Sequence, residues 1–402
     1  MPNLLRSVAK GRCVYSVLVI MFIDDVSGNV SQQWNKHYCC YASNGALPRC
    51  LQELEENIQF VATSSHAKSL EMIKAICSSF RETFDDPIPT WDAELGEECL
   101  IHIFPLFFPG DNPMQAELCL HAGLAANHFC RMCKVGGTQE FKRSEQGYPT
   151  LFKSGVLRDL QTMQQDVADQ IMWGLDPGAT STLEGMVRDS GVKDSLAHPT
   201  IEGMIRLGID LRRRVPGITA KSPEEVWELL NAELNKKGGA DGMINPLLDI
   251  DGIDIHLDTP TEILHAILLG VIKYFWAQTM LHIIQSKKSD IFLARLNSVS
   301  KDGLDIPPIT ADYMFNYRGS LIGKHFKAIV QIMPFIVYDL VSKDTLDAWL
   351  AISWLVVLLW HTEIKDMDIY CVRSLSPVLQ CDPLINLVFR LSYRKSSTIF
   401  SI

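Results

Sequence analysis

Apolar residues fall along this chain in two rhythms. Near the N-terminus they come in short unbroken runs. Val14–Ile23 (VYSVLVIMFI) and Leu100–Phe108 (LIHIFPLFF) are rich in β-branched and aromatic residues. Runs of that length and type predict buried strands. Trp34–Ser43 (WNKHYCCYAS) and Ile58–Thr63 (IQFVAT) add two more β-favouring stretches, and Asn44-Gly45 marks a turn after the first of these. Then the spacing changes to three and four. Leu70, Ile73, Ile76 and Cys77 share one face of a helix expected from Ser64 or Ser65 to about Phe80. Pro87–Gly96 reads as a polar loop before the fourth strand. After Pro109-Gly110, Asn112 is the expected helix cap, Pro113 suits the first position, and Gln115 suits a capping box. That helix, with Leu118, His121, Ala122 and Ala125 on one face, is expected to end near Asn127. The predicted order is strand, strand, strand, helix, strand, helix.

From Gly136 onward the helical rhythm takes over. Ser222-Pro223-Glu224-Glu225 is a capping box opening a helix Val226–Lys236. Thr259, Pro260 and Glu262 read as the cap, first position and box of a helix running to about Ser286. Its expected apolar face holds Ile263, Ala266, Ile267, Gly270, Val271 and Tyr274, with His265 beside it. Ile306-Pro307-Pro308 marks a boundary, and His325–Leu340 and Thr345–Trp360 read as two more buried helices. The apolar run Trp349–Trp360 is too short for a membrane span, so no membrane partner is expected. The expected organisation is an unstructured start at 1–12, a core at 13–135, a mainly helical insertion at 136–365, and a truncated or degenerate tail at 366–402.

Composition narrows the class. The chain has 402 residues, 47% hydrophobic and 21% charged, which is ordinary for a globular protein of two or three domains. Lys+Arg is 37 against 47 Asp+Glu, a net charge of −10, which argues against a self-sufficient nucleic-acid binder. The eleven cysteines are scattered without a disulfide-like spacing and no signal peptide is seen, so an intracellular, reducing compartment is expected. There is no G-x-S-x-G, Walker A loop, HExxH or Rossmann glycine fingerprint.

The candidate chemistry sits where strands end. The first strand finishes in Asp24-Asp25, and Asp111 follows the fourth. If those strands are neighbours, their carboxylates can hold hard cations such as Mg²⁺, which take oxygen ligands and keep several waters. Two such ions about 4 Å apart clamp an in-line phosphoryl displacement. That strand order and those acid positions are the ones the ribonuclease-H-like (RNase-H-like) fold uses. About twenty residues after Asp111 comes Cys130-x-x-Cys133.

The stretches MFIDDVSGN (from Met21), QWNKHYCCYASNGALP (from Gln33), PGDNPMQAELCLH (from Pro109), NHFCRMCKVGG (from Asn127), DTPTEILHAILLGVIKYF (from Asp258) and LIGKHFK (from Leu321) make the chain resemble fungal transposase-derived proteins of the CACTA and Kyakuja–Dileera–Zisupton type. The resemblance covers about residues 17 to 365. It implies an α/β fold, an RNase-H-like DDE nuclease core with a large helical insertion and a degenerate C-terminus. It implies Asp24 or Asp25 as the first acid, Asp24 being nearer the strand, and Asp111 as the second. Their implied role is to hold Mg²⁺ or Mn²⁺ for DNA strand cleavage and transfer, in the nucleus. It also implies DNA as the partner, which the charge does not. Cys130 and Cys133 match a paired-cysteine element; they are either two ligands of a structural Zn²⁺, completed from His121, His128, His256 or His265, or two free buried thiols. The family's third acid, a Glu ahead of an N-x-x-F-R-L tail, has Pro383 in its place, with Asp382 one position off; Glu363, Asp366 and Asp368 are possible substitutes. The leading expectation is therefore a transposase-derived protein inactive in DNA transfer. Its rivals are an active metal-dependent nuclease or transposase and a domesticated interaction scaffold.

Overall fold

A computed structural model of the chain describes residues 5–27, 36–213, 221–300, 302–303, 306, 308–361 and 363–374. The chain divides into two compact units, Met1–Pro260 and Thr261–Ile402. The whole is mixed α/β, with one five-stranded sheet and fifteen α-helices among the described residues.

Unit 1 holds the sheet. Its strands are β1 (Cys13–Ser27), β2 (Lys36–Asn44), β3 (Ile58–Ser64), β4 (Ile88–Asp92) and β5 (Glu97–Phe107), in the order β3-β2-β1-β5-β4. β1, β2 and β3 form an antiparallel meander, while β5 runs parallel to β1. A parallel neighbour needs a crossover, and helix α1 (Ser69–Asp85) lies within it. Leu70, Met72, Ile73 and Cys77 of α1 pack in one core with Val19, Met21 and Ile23 of β1. The alternate β1 positions differ: Phe22 and Val26 are exposed. So β1 is buried on one face only, although Val17–Ile23 is apolar throughout. Period-2 alternation in burial is set by the sheet here, not by residue type.

The expected loop Pro87–Gly96 contains a strand. Ile88–Asp92 pairs antiparallel with Glu97–Ile101, and Gly96 makes the turn at φ 68°. An edge strand tolerates Pro89 because one side needs no donor. β4 covers only the first part of β5. Past it, the Ile103 N–H is taken by Thr83 Oγ1 at 2.9 Å, and Pro105 has no N–H to offer. Both features blunt the remaining edge.

Helix α2 (Asn112–Leu118) is seven residues long and does not reach Asn127. Leu120 turns left-handed at φ 52°, and the His121 N–H returns to the Ala116 carbonyl at 2.8 Å. This is the closing bond of a Schellman-type stop. Asn245 Nδ2 caps the Leu118 carbonyl at 2.7 Å. His121 therefore lies beyond the helix rather than on it. Farther on, the Ser222 box forms as expected: Ser222 Oγ accepts from the Glu225 N–H at 3.2 Å, and the Glu225 carboxylate accepts from the Ser222 N–H at 2.9 Å. The helices Leu160–Trp173, Ala197–Arg212 and Pro223–Lys236 share one hydrophobic core with β1 and α1.

Unit 2 is helical among its described residues. A π-helical stretch, Leu264–Ile272, leads into Lys273–Gln285, and Ser289–Ser298, Gly323–Val337 and Lys343–Leu359 pack around it. The expected cap at Thr259 gives way to Glu262, whose carboxylate accepts the N–H groups of Leu264 and His265. The wider π turn also moves the apolar face. Leu268, Ile272, Trp276, Met280 and Ile283 are buried, whereas Val271 and Tyr274 are 51% and 69% exposed. Leu264–Gln285 is long and apolar enough to cross a membrane by length and composition; its buried face belongs to the core of this unit. The two C-terminal helices expected from the sequence are present, at Gly323–Val337 and Lys343–Leu359. Trp34, Pro307, Asp382 and Pro383 lie outside the described residues.

Candidate functional site

β1 and β5 pair in parallel from Cys13–Cys99 to Ile20–Phe107, with one irregularity after Val19. Asp24 lies within β1, past its last pair with β5, and Asp111 lies four residues past the end of β5. The carboxyl ends of adjacent parallel strands are the edge where open α/β sheets gather ligands. β1 continues in its ladder with β2, where Asp24 faces Cys39 and Asp25 faces Tyr38. Successive side chains alternate, so Asp24 and Asp25 point to opposite faces. Asp24 is half-buried and Asp25 exposed. The Asp24 Oδ1 accepts from the Asp25 N–H at 2.7 Å.

Asp111 is itself the cap of α2. Its Oδ1 accepts from the Met114 N–H at 2.8 Å, which places Asn112 in the first turn rather than at the cap. Gln115 does not close a box. Its amide donates to the carbonyls of Thr259 and Pro260. That contact belongs to a set that sews the segment Asp254–Pro260 onto the end of β5 and α2. The Phe108 N–H donates to the Asp258 carbonyl at 2.7 Å. Cys119 Sγ donates to the Ile255 carbonyl at 3.0 Å, and Arg131 Nη1 donates to Thr259 Oγ1 at 2.7 Å. The sequence offered no signal for these partners, which lie more than a hundred residues apart.

The paired cysteines form a second corner. Cys130 and Cys133 stand with two residues between them in one irregular stretch, Cys130 half-buried and Cys133 1% exposed. The Gly155 N–H donates to Cys133 Sγ at 3.3 Å. A Cβ on Gly155 would meet the Val135 backbone N at 2.6 Å, so only glycine lets the two segments approach. Buried Arg158 holds the turn by donating to the carbonyls of Cys130 (2.9 Å), His128 (3.0 Å) and Ser190 (2.9 Å). The neighbouring Cys133 lowers the pKa of the Cys130 thiol, and Cys130 in turn raises that of Cys133.

The candidate histidines are placed as follows. His121 Nδ1 accepts from the Gly123 N–H and Nε2 donates to the His128 carbonyl, both at 3.0 Å. His128 Nδ1 donates to the Lys134 carbonyl at 2.9 Å. His265 lies in unit 2 with Nδ1 on Glu262 at 2.7 Å. His256 is buried, and neither ring nitrogen has a hydrogen-bond partner among the described residues. Burial lowers both His121 and His256 to about 4. Among the described residues, no three His, Cys, Asp or Glu side chains converge as a metal site. Mg²⁺ is often held by one or two protein carboxylates with waters, and Asp24 and Asp111 are the candidates for that role. Tetrahedral Zn²⁺ wants four protein donors, and the residues around Cys130 and Cys133 supply two.

Of the substitutes for a third acid, Asp366 caps the helix Met367–Ser374 by accepting the Ile369 N–H at 2.8 Å. Glu363 lies 4.0 Å from Lys365 at the surface of unit 2, and Asp368 sits in the first turn of that helix. Set beside known proteins, the chain matches no protein family and no curated protein.

Proposed function

We propose that this chain is a transposase-derived protein with an RNase-H-like core that binds a divalent cation weakly and does not carry out DNA strand transfer. The observation that carries the reading is the parallel pairing of β1, which contains Asp24, with β5, which Asp111 follows. The order β3-β2-β1-β5, with an antiparallel meander and then a parallel strand, supports it as well. Asp24 and Asp111 would hold Mg²⁺ or Mn²⁺, and Asp25, on the opposite face, would not share that ion. A bound cation would activate water or a 3′-hydroxyl toward a DNA phosphate. Asp111 does two things at once: one oxygen caps α2 and fixes the carboxylate, and the carboxylate's charge attracts the cation. Loss of strand transfer follows from Pro383 standing where the third glutamate would be. DNA remains the proposed partner and the nucleus the proposed compartment.

The test is a supercoiled plasmid incubated with the full chain and Mg²⁺ or Mn²⁺. No nicking above buffer is expected. Nicking that disappears in Asp111→Asn would establish an active nuclease instead. A third reading, an interaction scaffold, is favoured by large side chains left open on unit 2, among them Phe335 at 76% and Tyr338 at 57% exposed. A stable partner retained in Asp24→Asn and Asp111→Asn would support it.

A further inference from the structure

We infer that Cys130 and Cys133 form a reversible thiol–disulfide site, with Cys130 as the attacking sulfur and Cys133 as the resolving one. The argument stands on placement and does not depend on the transposase reading. A two-residue spacer in a turn keeps the two cysteines together, and Arg158 pins that turn through the Cys130 carbonyl. Their exposures differ. Cys130 lines an open cavity of about 640 Å³ with Arg131 and Lys193, so a small reagent reaches it from solvent. Cys133 is 1% exposed and closed in behind it, so it meets the reagent only through Cys130. The cavity wall carries Arg131 and Lys193 against Glu117, a net positive balance that favours an anionic reagent and a thiolate on Cys130.

The substrate class is a small acidic disulfide, for which oxidised glutathione is the probe. Cys130, as thiolate, attacks one sulfur of the probe; its S–S bond breaks and one glutathione thiolate leaves. Cys133 then gives its proton to solvent and attacks the Cys130 sulfur, expelling the second glutathione thiolate. Two electrons pass from the protein dithiol to the probe, and the 130–133 disulfide remains. A small-molecule dithiol reverses the process.

The experiment treats the reduced full-length chain with oxidised glutathione, blocks remaining thiols by alkylation, and digests with trypsin. Cleavage after Arg131 separates the two cysteines, so the peptide Met132–Lys134 stays joined to its neighbour only through the disulfide. The joined pair should appear at least about tenfold faster than any adduct on exposed Cys50, the reference thiol. Cys133→Ser should stop at a glutathione adduct on Cys130, and Cys130→Ser should leave Cys133 unmodified. Zinc content of the untreated protein is measured alongside. One zinc per chain that shields both thiols from alkylation would overturn the inference. So would modification of Cys130 no faster than that of Cys50, a result the wild type gives without relying on a variant's fold.

Discussion

Unit 1 keeps polar groups in its interior and bonds most of them, whereas unit 2 fills its interior almost wholly with apolar side chains. In unit 1 the buried Asp194 carboxylate accepts the N–H groups of Leu196 (2.7 Å), Ala197 (3.2 Å) and Asn245 (2.9 Å). Asn245 in turn caps α2, and Gln170 Nε2 holds the Val192 carbonyl at 3.0 Å. In unit 2 the only buried polar residue among those described is Thr279, whose hydroxyl accepts from Trp349 Nε1 at 3.1 Å. The difference follows from the backbone. Helices satisfy their own N–H and C=O groups, but the irregular stretches around Cys130, Asp194 and Asp254 cannot, and a buried backbone group without a partner is costly. Unit 1 therefore needs specific side chains where unit 2 needs only volume. It is also unit 1 that holds both candidate sites.

The contrast can be broken by removing polar groups. Asp194→Ala should have the largest effect, because it strands three buried N–H donors, roughly 3 kcal/mol or more by the usual penalty per group. Chemical denaturation should show unit 1 losing that stability with unit 2 unchanged. Acid comes next. His121 and His256 are held near 4 by burial, against about 6.5 in the unfolded chain. The folded state thus favours neutral imidazole. The stability this gives is complete above about pH 6.5 and drains as pH falls toward 4, on the order of 3 kcal/mol per ring. Asp166 and Asp194, raised by burial, act in the opposite sense: they favour the fold at low pH and offset part of the loss. Hydrogen exchange corrected for its intrinsic rate should show unit 1 opening before unit 2 between pH 6.5 and 4.5, and His256→Gln should narrow that gap. The smallest effect should come from Thr279→Val in unit 2, about 1 kcal/mol for one hydrogen bond. A loss as large as that of Asp194→Ala would show that unit 2 is polar-pinned too.

The strands near the acids were legible because their runs are apolar and β-branched, but β1 runs on through Asp24 and Asp25 to Ser27, held by its ladder with β2. β4 was not legible. IPTWD has little strand character of its own and is held by pairing with the start of β5. The length of α2 was misread for a similar reason, since its stop at Leu120 is fixed by Asn245, distant in sequence. At the site, Asp24, Asp111 and the Cys130–Cys133 pair could be named in advance. The Asp111 cap is a local bond to the Met114 N–H, within reach of the sequence, whereas the burial of His256 with its ring unpartnered depends on tertiary packing of the Asp254–Pro260 segment. The π-helical start of Leu264–Ile272 shifted a face that an ideal period of 3.6 places elsewhere.

The central proposal is that Asp24 and Asp111 share one cation. Its most direct test is Mn²⁺ binding by calorimetry to the wild type, Asp24→Asn and Asp111→Asn. Asparagine keeps an oxygen for the α2 cap and removes the charge, so the fold should survive. The account predicts one weak site in the wild type and a loss of about tenfold or more in each variant, about 1.4 kcal/mol, with unchanged melting. Equal binding in all three proteins, or none in a folded wild type, would contradict it.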